Sequence, residues 1–402
     1  MESLFTLFLL SGVFKAFALL FGIIFPIDLT FLLALFTVIS LLVRNLNFRT
    51  HSLYLHVGRK KTSLFFLMLW LWMLCTLMYT TSPQYSFEKT FLFLTNFVPL
   101  IVIFVSREFN VRLFLKSFSI VTLLLTILYL PFLDMYLEFG SNDEIHESVG
   151  GLYLTLGGYL GAIVVTFLTT KKNVFNPYVD KILIAISAFI LLIIGAREPL
   201  IFTVLCVILY LINKRKISFT ISSICKSLIV LVGLVLFIIF LANSEDRGMF
   251  TTLYERSIER LSLIVEGILG DGDMGKSANT RVEHFENSYN LITESIGNFI
   301  FGTGIGSFSI ETMGIDGRGY PHNIILEVWT ELGIIGVILL ICFFASLFWR
   351  FSVERLYISG YVVLYFLLGY SKSSSLVDLR VGVTFCLLFI CSVNMVYKKY
   401  SF

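Results

Sequence analysis

The sequence predicts an all-α, polytopic integral membrane protein with about twelve transmembrane helices and one long periplasmic loop that contains amphipathic helices. Hydrophobic residues make up 57% of the 402 residues and charged residues only 14%, which is more apolar side chain than a soluble fold of this length can bury. The apolar residues form runs long enough to cross a bilayer. Lysine and arginine fill every second connection between those runs.

The apolar runs determine the predicted number of spans. A hydrocarbon core about 30 Å thick requires ~20 apolar residues per helix. By this measure the spans lie at residues 4–24, 27–43, 62–80, 89–105, 113–130, 151–170, 181–196, 199–213, 227–242, 323–347, 356–371 and 381–397. They divide the chain into nine helices (1–242), a long loop (243–322) and three further helices (323–402).

The basic residues determine the predicted orientation. They cluster in alternate connections, at Arg44, Arg49, Arg59, Lys60 and Lys61, at Arg107 and Arg112, at Lys171, Lys172 and Lys181, at Lys214, Arg215, Lys216 and Lys226, at Arg350 and Arg355, and at Lys398 and Lys399. Cytoplasmic connections carry such an excess, so both termini are expected in the cytoplasm and the long loop on the opposite side. The net charge is only +3, so no nucleic-acid partner is expected.

No cofactor or metal site is predicted. The six cysteines fall in or beside apolar stretches and lack the spacing of metal ligands. The run Gly302-Thr303-Gly304-Ile305-Gly306 has no strand before it and no Lys-Ser/Thr pair after it, so it does not predict a nucleotide-binding loop. These glycines instead favour a backbone that packs closely where it returns to the membrane surface.

A charged interruption divides the long apolar stretch at 182–212. Gly195-Ala196-Arg197-Glu198-Pro199 lies at its middle, and a single helix would place two basic loops on opposite sides of the membrane. Two short helices are therefore predicted, with Arg197 near the outer surface. An arginine at that depth needs a partner or an anionic ligand; alternatively, Arg197 and Glu198 are structural residues that extend to the interface.

The long loop contains two predicted helices. Residues 250–270 have an amphipathic pattern, with Arg256 on the polar face. Thr280 and Glu283 have the spacing of a capping box, which would place Arg281 in the first turn of the second helix. A cation there opposes the helix dipole at a cost of about 0.3–1 kcal/mol, so Arg281 either binds an anion near the helix N-terminus or is simply exposed.

The last part of the loop carries the strongest local signal. Tyr320-Pro321-His322-Asn323 precedes an apolar span. A neutral imidazole at His322 can accept a proton from a sugar hydroxyl near neutral pH. Asn323 and Glu327 lie one turn apart on the same predicted helix face. The alternative reading is a histidine that caps the span at the membrane interface.

These motifs resemble the O-antigen polymerase/O-antigen ligase family of bacterial membrane glycosyltransferases. His322-Asn323 is followed after nine residues by Gly333-Ile334-Ile335-Gly336. The helix of Arg281, leading into Asn298-Phe299-Ile300-Phe301-Gly302-Thr303-Gly304, looks like the family's arginine helix and its following turn. Gly195-Ala196-Arg197-Glu198-Pro199-Leu200 is similar to the family's membrane arginine motif. Phe299 and Glu198 stand where proline and glycine are usual.

The resemblance implies glycan transfer at the outer face of the bacterial inner membrane, without nucleotide or metal. The donor would be a glycan on undecaprenyl pyrophosphate. In this reading Arg197 and Arg281 stabilise the departing pyrophosphate, with Arg256 and Arg318 as further contacts. His322 would position or deprotonate the acceptor, and Asn323, Glu327 and Tyr320 would support substrate binding.

The resemblance favours a polymerase, because Tyr320-Pro321-His322-Asn323 lacks the His-x-His-Asn run of ligases. A polymerase extends a lipid-linked repeat unit and is expected to work with a chain-length regulator. A ligase transfers the glycan to lipid A-core. A flippase for the same lipid-linked oligosaccharide would share the composition, but internal repeats between the halves, which transporters often show, are absent from the sequence.

Overall fold

The computed structural model describes residues 1–47, 52–53, 60–106, 109–132, 151–214, 276–348 and 358–397. Most of these residues are helical. The helices are α1 Glu2–Leu9, α2 Ser11–Leu20, α3 Leu29–Asn45, α4 Lys60–Thr76, α5 Tyr85–Leu94, α6 Phe97–Val105, α7 Val111–Tyr129, α8 Leu152–Thr169, α9 Pro177–Ile194, α10 Arg197–Asn213, α11 Lys276–Thr293, α12 Ile296–Phe301, α13 Ser307–Met313, α14 Ile324–Phe348, α15 Gly360–Ser373 and α16 Arg380–Tyr397. Short 3-10 turns follow at Leu130–Phe132 and Leu376–Asp378, and Leu46–Asn47 pairs antiparallel with Ser52–Leu53.

Several of these helices can cross a membrane. Five segments within the described ranges are long and apolar enough: Tyr85–Val105, Val111–Phe132, Leu152–Thr169, Pro177–Ile194 and Ile324–Ser346. The bent pair α1–α2 makes a sixth if it is one span. A helix lies at each predicted span except 227–242, which falls outside the described residues. The chain is a helical membrane protein, but the predicted count of about twelve spans is not confirmed.

The predicted break between the helices α9 and α10 is confirmed. Asn176 begins α9 by accepting hydrogen bonds from the backbone N–H groups of Tyr178 and Val179. Gly195 ends it at φ 68°, a left-handed conformation that glycine adopts without steric cost. The helix α10 then begins at Arg197. Arg197 and Glu198 therefore lie in its first turn, next to the connection between the two helices.

A second break, in α14, receives the glycine-rich segment. Gly333 has φ 66° and ψ −171° inside the helix, which frees nearby carbonyl groups from their helical partners. The Thr330 carbonyl accepts from Thr303 N at 2.8 Å and the Glu331 carbonyl from Gly304 N at 3.0 Å. A Cβ at Gly333 would overlap the Ile300 carbonyl. The close packing predicted for the glycine-rich segment is therefore present, and its partner is the kink of α14.

The second helix of the long loop begins earlier than predicted. Its first residue is Lys276, so Thr280 and Glu283 lie inside the helix and the predicted capping box is wrong. Arg281 lies in the second turn, where the helix dipole has little effect on the free energy of a charged side chain. Among the apolar side chains of this helix, Val282, Phe285 and Tyr289 are exposed and Ile292 is buried. The first predicted helix, 250–270, lies outside the described residues.

Three charged side chains are buried among the helices. The ammonium group of Lys89 on α5 contacts the carboxylates of Glu327 and Glu331 on α14, at 2.6 and 2.7 Å, and all three side chains are fully buried. Glu327 also accepts hydrogen bonds from the Ser375 hydroxyl and the Leu376 N–H, both at 2.8 Å. We call Lys89, Glu327 and Glu331 the buried charge cluster; it fixes α5 and the segment 375–376 to α14.

Candidate functional site

The candidate site lies where the N-terminal end of α10, the helix α11 and the segment 314–323 meet. Arg281 on α11 donates from Nη1 to the Glu198 carboxylate on α10. The Arg281 side chain is 28% exposed and the Glu198 side chain 15%, so the pair is open to a ligand on one side. Nη1 is one of several donor groups on the guanidinium, and the remaining N–H groups have the geometry to bind phosphate oxygens.

His322 has an unusual backbone conformation beside this pair. Its φ is 55°, and it is the only non-glycine residue of the described chain with a positive φ. Such a conformation is costly for a side chain with a Cβ and is maintained by its surroundings. The imidazole ring lies between the Tyr320 ring, at 4.5 Å, and the His284 ring, at 5.6 Å.

The surroundings of His322 keep its imidazole neutral. Burial, which is the largest cause, acts together with the nearby Arg281 and His284 to lower the pKa of His322 to about 4, against a smaller opposing effect of Glu198. A pKa this far below 6.5 leaves the ring uncharged at neutral pH. His322 is therefore able to accept a proton from a hydroxyl group, although its basicity is reduced.

Asn323 fixes the backbone directly after His322. Its side-chain oxygen accepts from Ile325 N at 2.9 Å and Leu326 N at 3.1 Å, which caps α14, and its amide donates to the Ser371 carbonyl at 2.8 Å. These hydrogen bonds give the Asn323 side chain a structural role. Asn323, predicted to bind substrate, thus acts on the site by holding the His322 backbone.

The segment before His322 is held by its charged residues. Asp316 accepts from the Ser82 hydroxyl at 2.5 Å and from Gln84 N at 2.9 Å. Arg318 pairs with Asp378 at 2.9 Å and its side chain remains 57% exposed. Arg318 is therefore accessible from solvent, and Tyr320 lies against the His322 ring. The substrate-binding roles predicted for these two residues stay predictions.

The outcomes differ for the three remaining predicted site residues, Glu327, Arg197 and Arg256. The prediction that Glu327 binds substrate is not supported by its position, because its carboxylate is fully buried and already bound to Lys89, Ser375 and Leu376. Arg197 is half-buried at the first position of α10, next to Glu198 in the chain. Arg256 lies outside the described residues.

Two residues of this site, His284 and Glu198, were not among the predicted site residues. His284 follows Arg281 by three residues, and that spacing alone places both on one helix face. Glu198 is the partner of Arg281 across 83 positions, and no local pattern predicts a pairing at that distance. Within the described ranges, no group of three or more His, Cys, Asp or Glu side chains is arranged to bind a metal ion.

Comparison with known proteins gives a family match over part of the chain. The family model described as O-antigen ligase matches residues 182–341, a segment that contains Arg197, Glu198, Arg281, His284 and His322. No curated protein and no solved structure matches the chain. This match confirms that the chain resembles the O-antigen polymerase/ligase family over residues 182–341.

Proposed function

We propose that this chain is an O-antigen polymerase, a glycosyltransferase that joins undecaprenyl-pyrophosphate-linked repeat units at the periplasmic face of the bacterial inner membrane. One observation carries the proposal: a neutral imidazole, His322, lies within electrostatic reach of the cationic Arg281, and the Arg281 side chain is partly exposed. A proton acceptor and a cation are the two groups that transfer from a pyrophosphate donor requires.

The proposed reaction assigns one task to each group. The acceptor hydroxyl oxygen attacks the anomeric carbon of the donor while His322 takes the hydroxyl proton. The bond between that carbon and the pyrophosphate oxygen breaks, and undecaprenyl pyrophosphate leaves with the bonding electrons. Arg281 and Arg197 stabilise the negative charge that develops on the leaving group. Asn323 and Tyr320 keep His322 in place.

The arrangement of the helices supports the proposed orientation. The site lies at the start of α10, whereas Lys214 follows its end and Lys171 and Lys172 follow the end of α8. Basic residues favour the cytoplasmic side, so the site would face the periplasm with both termini in the cytoplasm. A chain-length regulator in the same membrane and surrounding lipids are the proposed partners.

Ligase activity is the second candidate, because the matching family model is described as O-antigen ligase. The two activities use the same donor and differ in acceptor. Purified protein in liposomes, with lipid-linked repeat units supplied on the site's side, separates them. Polymers formed from repeat units alone indicate a polymerase, and transfer only after lipid A-core is added indicates a ligase. No product with either acceptor contradicts the proposed enzyme and favours a flippase.

Variants then connect the activity to the site. His322→Ala is expected to reduce chain extension by about 10²–10⁴-fold, the usual contribution of a general base. Arg281→Ala should also abolish most of the activity. Arg112→Ala is the matched control, because Arg112 binds the carbonyls of Val174 and Phe175 beyond the opposite end of α9. Full activity of His322→Ala would remove His322 from the mechanism.

A further inference from the structure

A second histidine lies against His322 and has no task in the reaction described above. His284 on α11 is only 8% exposed. Its Nδ1 atom is 3.2 Å from the Tyr320 carbonyl oxygen. A carbonyl oxygen only accepts, so Nδ1 carries the proton and donates it. In its neutral form His284 therefore has an unprotonated Nε2.

The ring of His284 is also in contact with its neighbours. It lies nearly parallel to the His322 ring, with centroids 5.6 Å apart and planes inclined by 20°. Phe308 on α13 packs against it at 5.5 Å. His284 thus bridges the helix of Arg281 and the segment that carries His322.

The His322 backbone needs this kind of support. Its positive φ of 55° persists only if the residues around it are held. Asn323 holds the chain after His322 through α14, and the His284 bond to the Tyr320 carbonyl holds it two residues before. Without the second attachment, the nearest polar anchors described before His322 would be those of Asp316 and Arg318.

The two imidazoles also influence each other's charge. His284 and Arg281 lie on α11, Glu198 faces them from α10, and Tyr320 lies beside His322 in its own segment. A proton on both stacked rings would place two positive charges 5.6 Å apart next to Arg281. Two such charges repel each other, so a proton on one ring disfavours a proton on the other.

We propose that His284 is a positioning residue for His322: its Nδ1–H holds the Tyr320 carbonyl and its ring supports the His322 ring, so that His322 faces the acceptor as the proton-accepting group. This inference rests on the proposed glycan transfer. His284 itself does not touch the reacting atoms.

Two variants separate the two contacts. His284→Asn keeps a donor close to the Nδ1 position and removes the ring, whereas His284→Phe keeps an aromatic ring and removes the donor. We expect His284→Phe to lower kcat for chain extension by about ten- to a hundredfold, as a small misplacement of a reacting group does, with little change in KM for the lipid-linked donor. His284→Asn should retain more activity than His284→Ala.

A titration provides a readout that does not depend on activity. Histidine-labelled protein in detergent is followed by NMR, and the signal that disappears in His322→Gln is assigned to His322. Because His284→Phe removes a ring that can carry a positive charge next to His322, the His322 signal should titrate at higher pH than in the wild type. An unchanged titration overturns the proposal, as does wild-type kcat in His284→Phe. If the titration shifts while wild-type protein makes no polymer, the contact between the histidines stands and the proposed function fails.

Discussion

Replacing Lys89 by methionine tests the buried charge cluster. Lys89 Nζ lies 2.6 Å from Glu327 and 2.7 Å from Glu331, and no side chain of the three is reached by solvent. Methionine has a similar length and no charge. The substitution therefore leaves the carboxylates of Glu327 and Glu331 buried among the helices with no ammonium group between them.

The size of the effect follows from the charge left behind. With both carboxylates ionised, the wild-type cluster has one net negative charge, and Lys89→Met raises this to two. The extra charge can be removed by protonating one carboxyl group, which costs about 3.7 kcal/mol at pH 7 for a glutamate with an ordinary pKa near 4.3. This agrees with the ~3–5 kcal/mol found when one partner of a buried ion pair is removed. Lys89→Met should therefore lower the free energy of unfolding by about 4 kcal/mol.

Thermal unfolding in detergent measures the loss. We expect the midpoint of Lys89→Met to fall by about 5–10 °C, and that of Lys372→Met, at an exposed position near the end of α15, to remain within about 1 °C. Adding Glu327→Gln and Glu331→Gln to Lys89→Met removes both buried charges and should restore most of the midpoint. A wild-type midpoint for Lys89→Met, or a triple variant no more stable than the single one, would refute the reasoning.

Three further predictions concern the site and its support. Chain extension should be constant from pH 7 to about pH 5 and be lost as the pH falls through about 4, since His322 acts when neutral and its pKa is lowered to about 4; a rate–pH profile with its midpoint near 6.5 would contradict this. Glu198→Gln should bind inorganic pyrophosphate about fivefold more tightly by calorimetry, because a partly exposed ion pair contributes about 1 kcal/mol that the ligand no longer has to overcome; equal affinities would show that the carboxylate does not compete. Gly333→Ala should lower the free energy of unfolding by about 2–4 kcal/mol, because its Cβ would meet the Ile300 carbonyl at a φ of 66°. Gly369→Ala, where a Cβ meets nothing within 4 Å, is the control for that measurement, and equal unfolding midpoints would contradict the prediction.

Local chemistry explains what the sequence predicted correctly. An arginine and a proline inside an apolar stretch cannot continue one buried helix, so the break at Arg197 was visible without any tertiary information. The close packing of the glycine-rich segment followed in the same way from residues without a Cβ. His322 was selected by its titratable side chain together with the family resemblance, and its role stays a prediction.

The remaining features depend on residues far apart in the chain. Lys89 and Glu331 are separated by 242 positions, and a lysine at the edge of an apolar run is indistinguishable from one that extends to the interface. The capping box at Thr280 was predicted wrongly, because the same residue pair also occurs within helices. Glu327 shares a helix with Asn323, but its partners on α5 and at 375–376 are set by the tertiary fold.

The pair of Glu198 and Arg281 has a consequence for selectivity in a membrane. Phospholipids with a singly charged headgroup surround such a site in great excess over any lipid-linked sugar. A headgroup with one negative charge gains little binding free energy by displacing the Glu198 carboxylate from the Arg281 guanidinium. A diphosphate carries more charge and can bind the N–H groups that Glu198 leaves unused. Under the proposed function, the Glu198 carboxylate would therefore disfavour ordinary membrane lipids at Arg281 and favour ligands of higher charge.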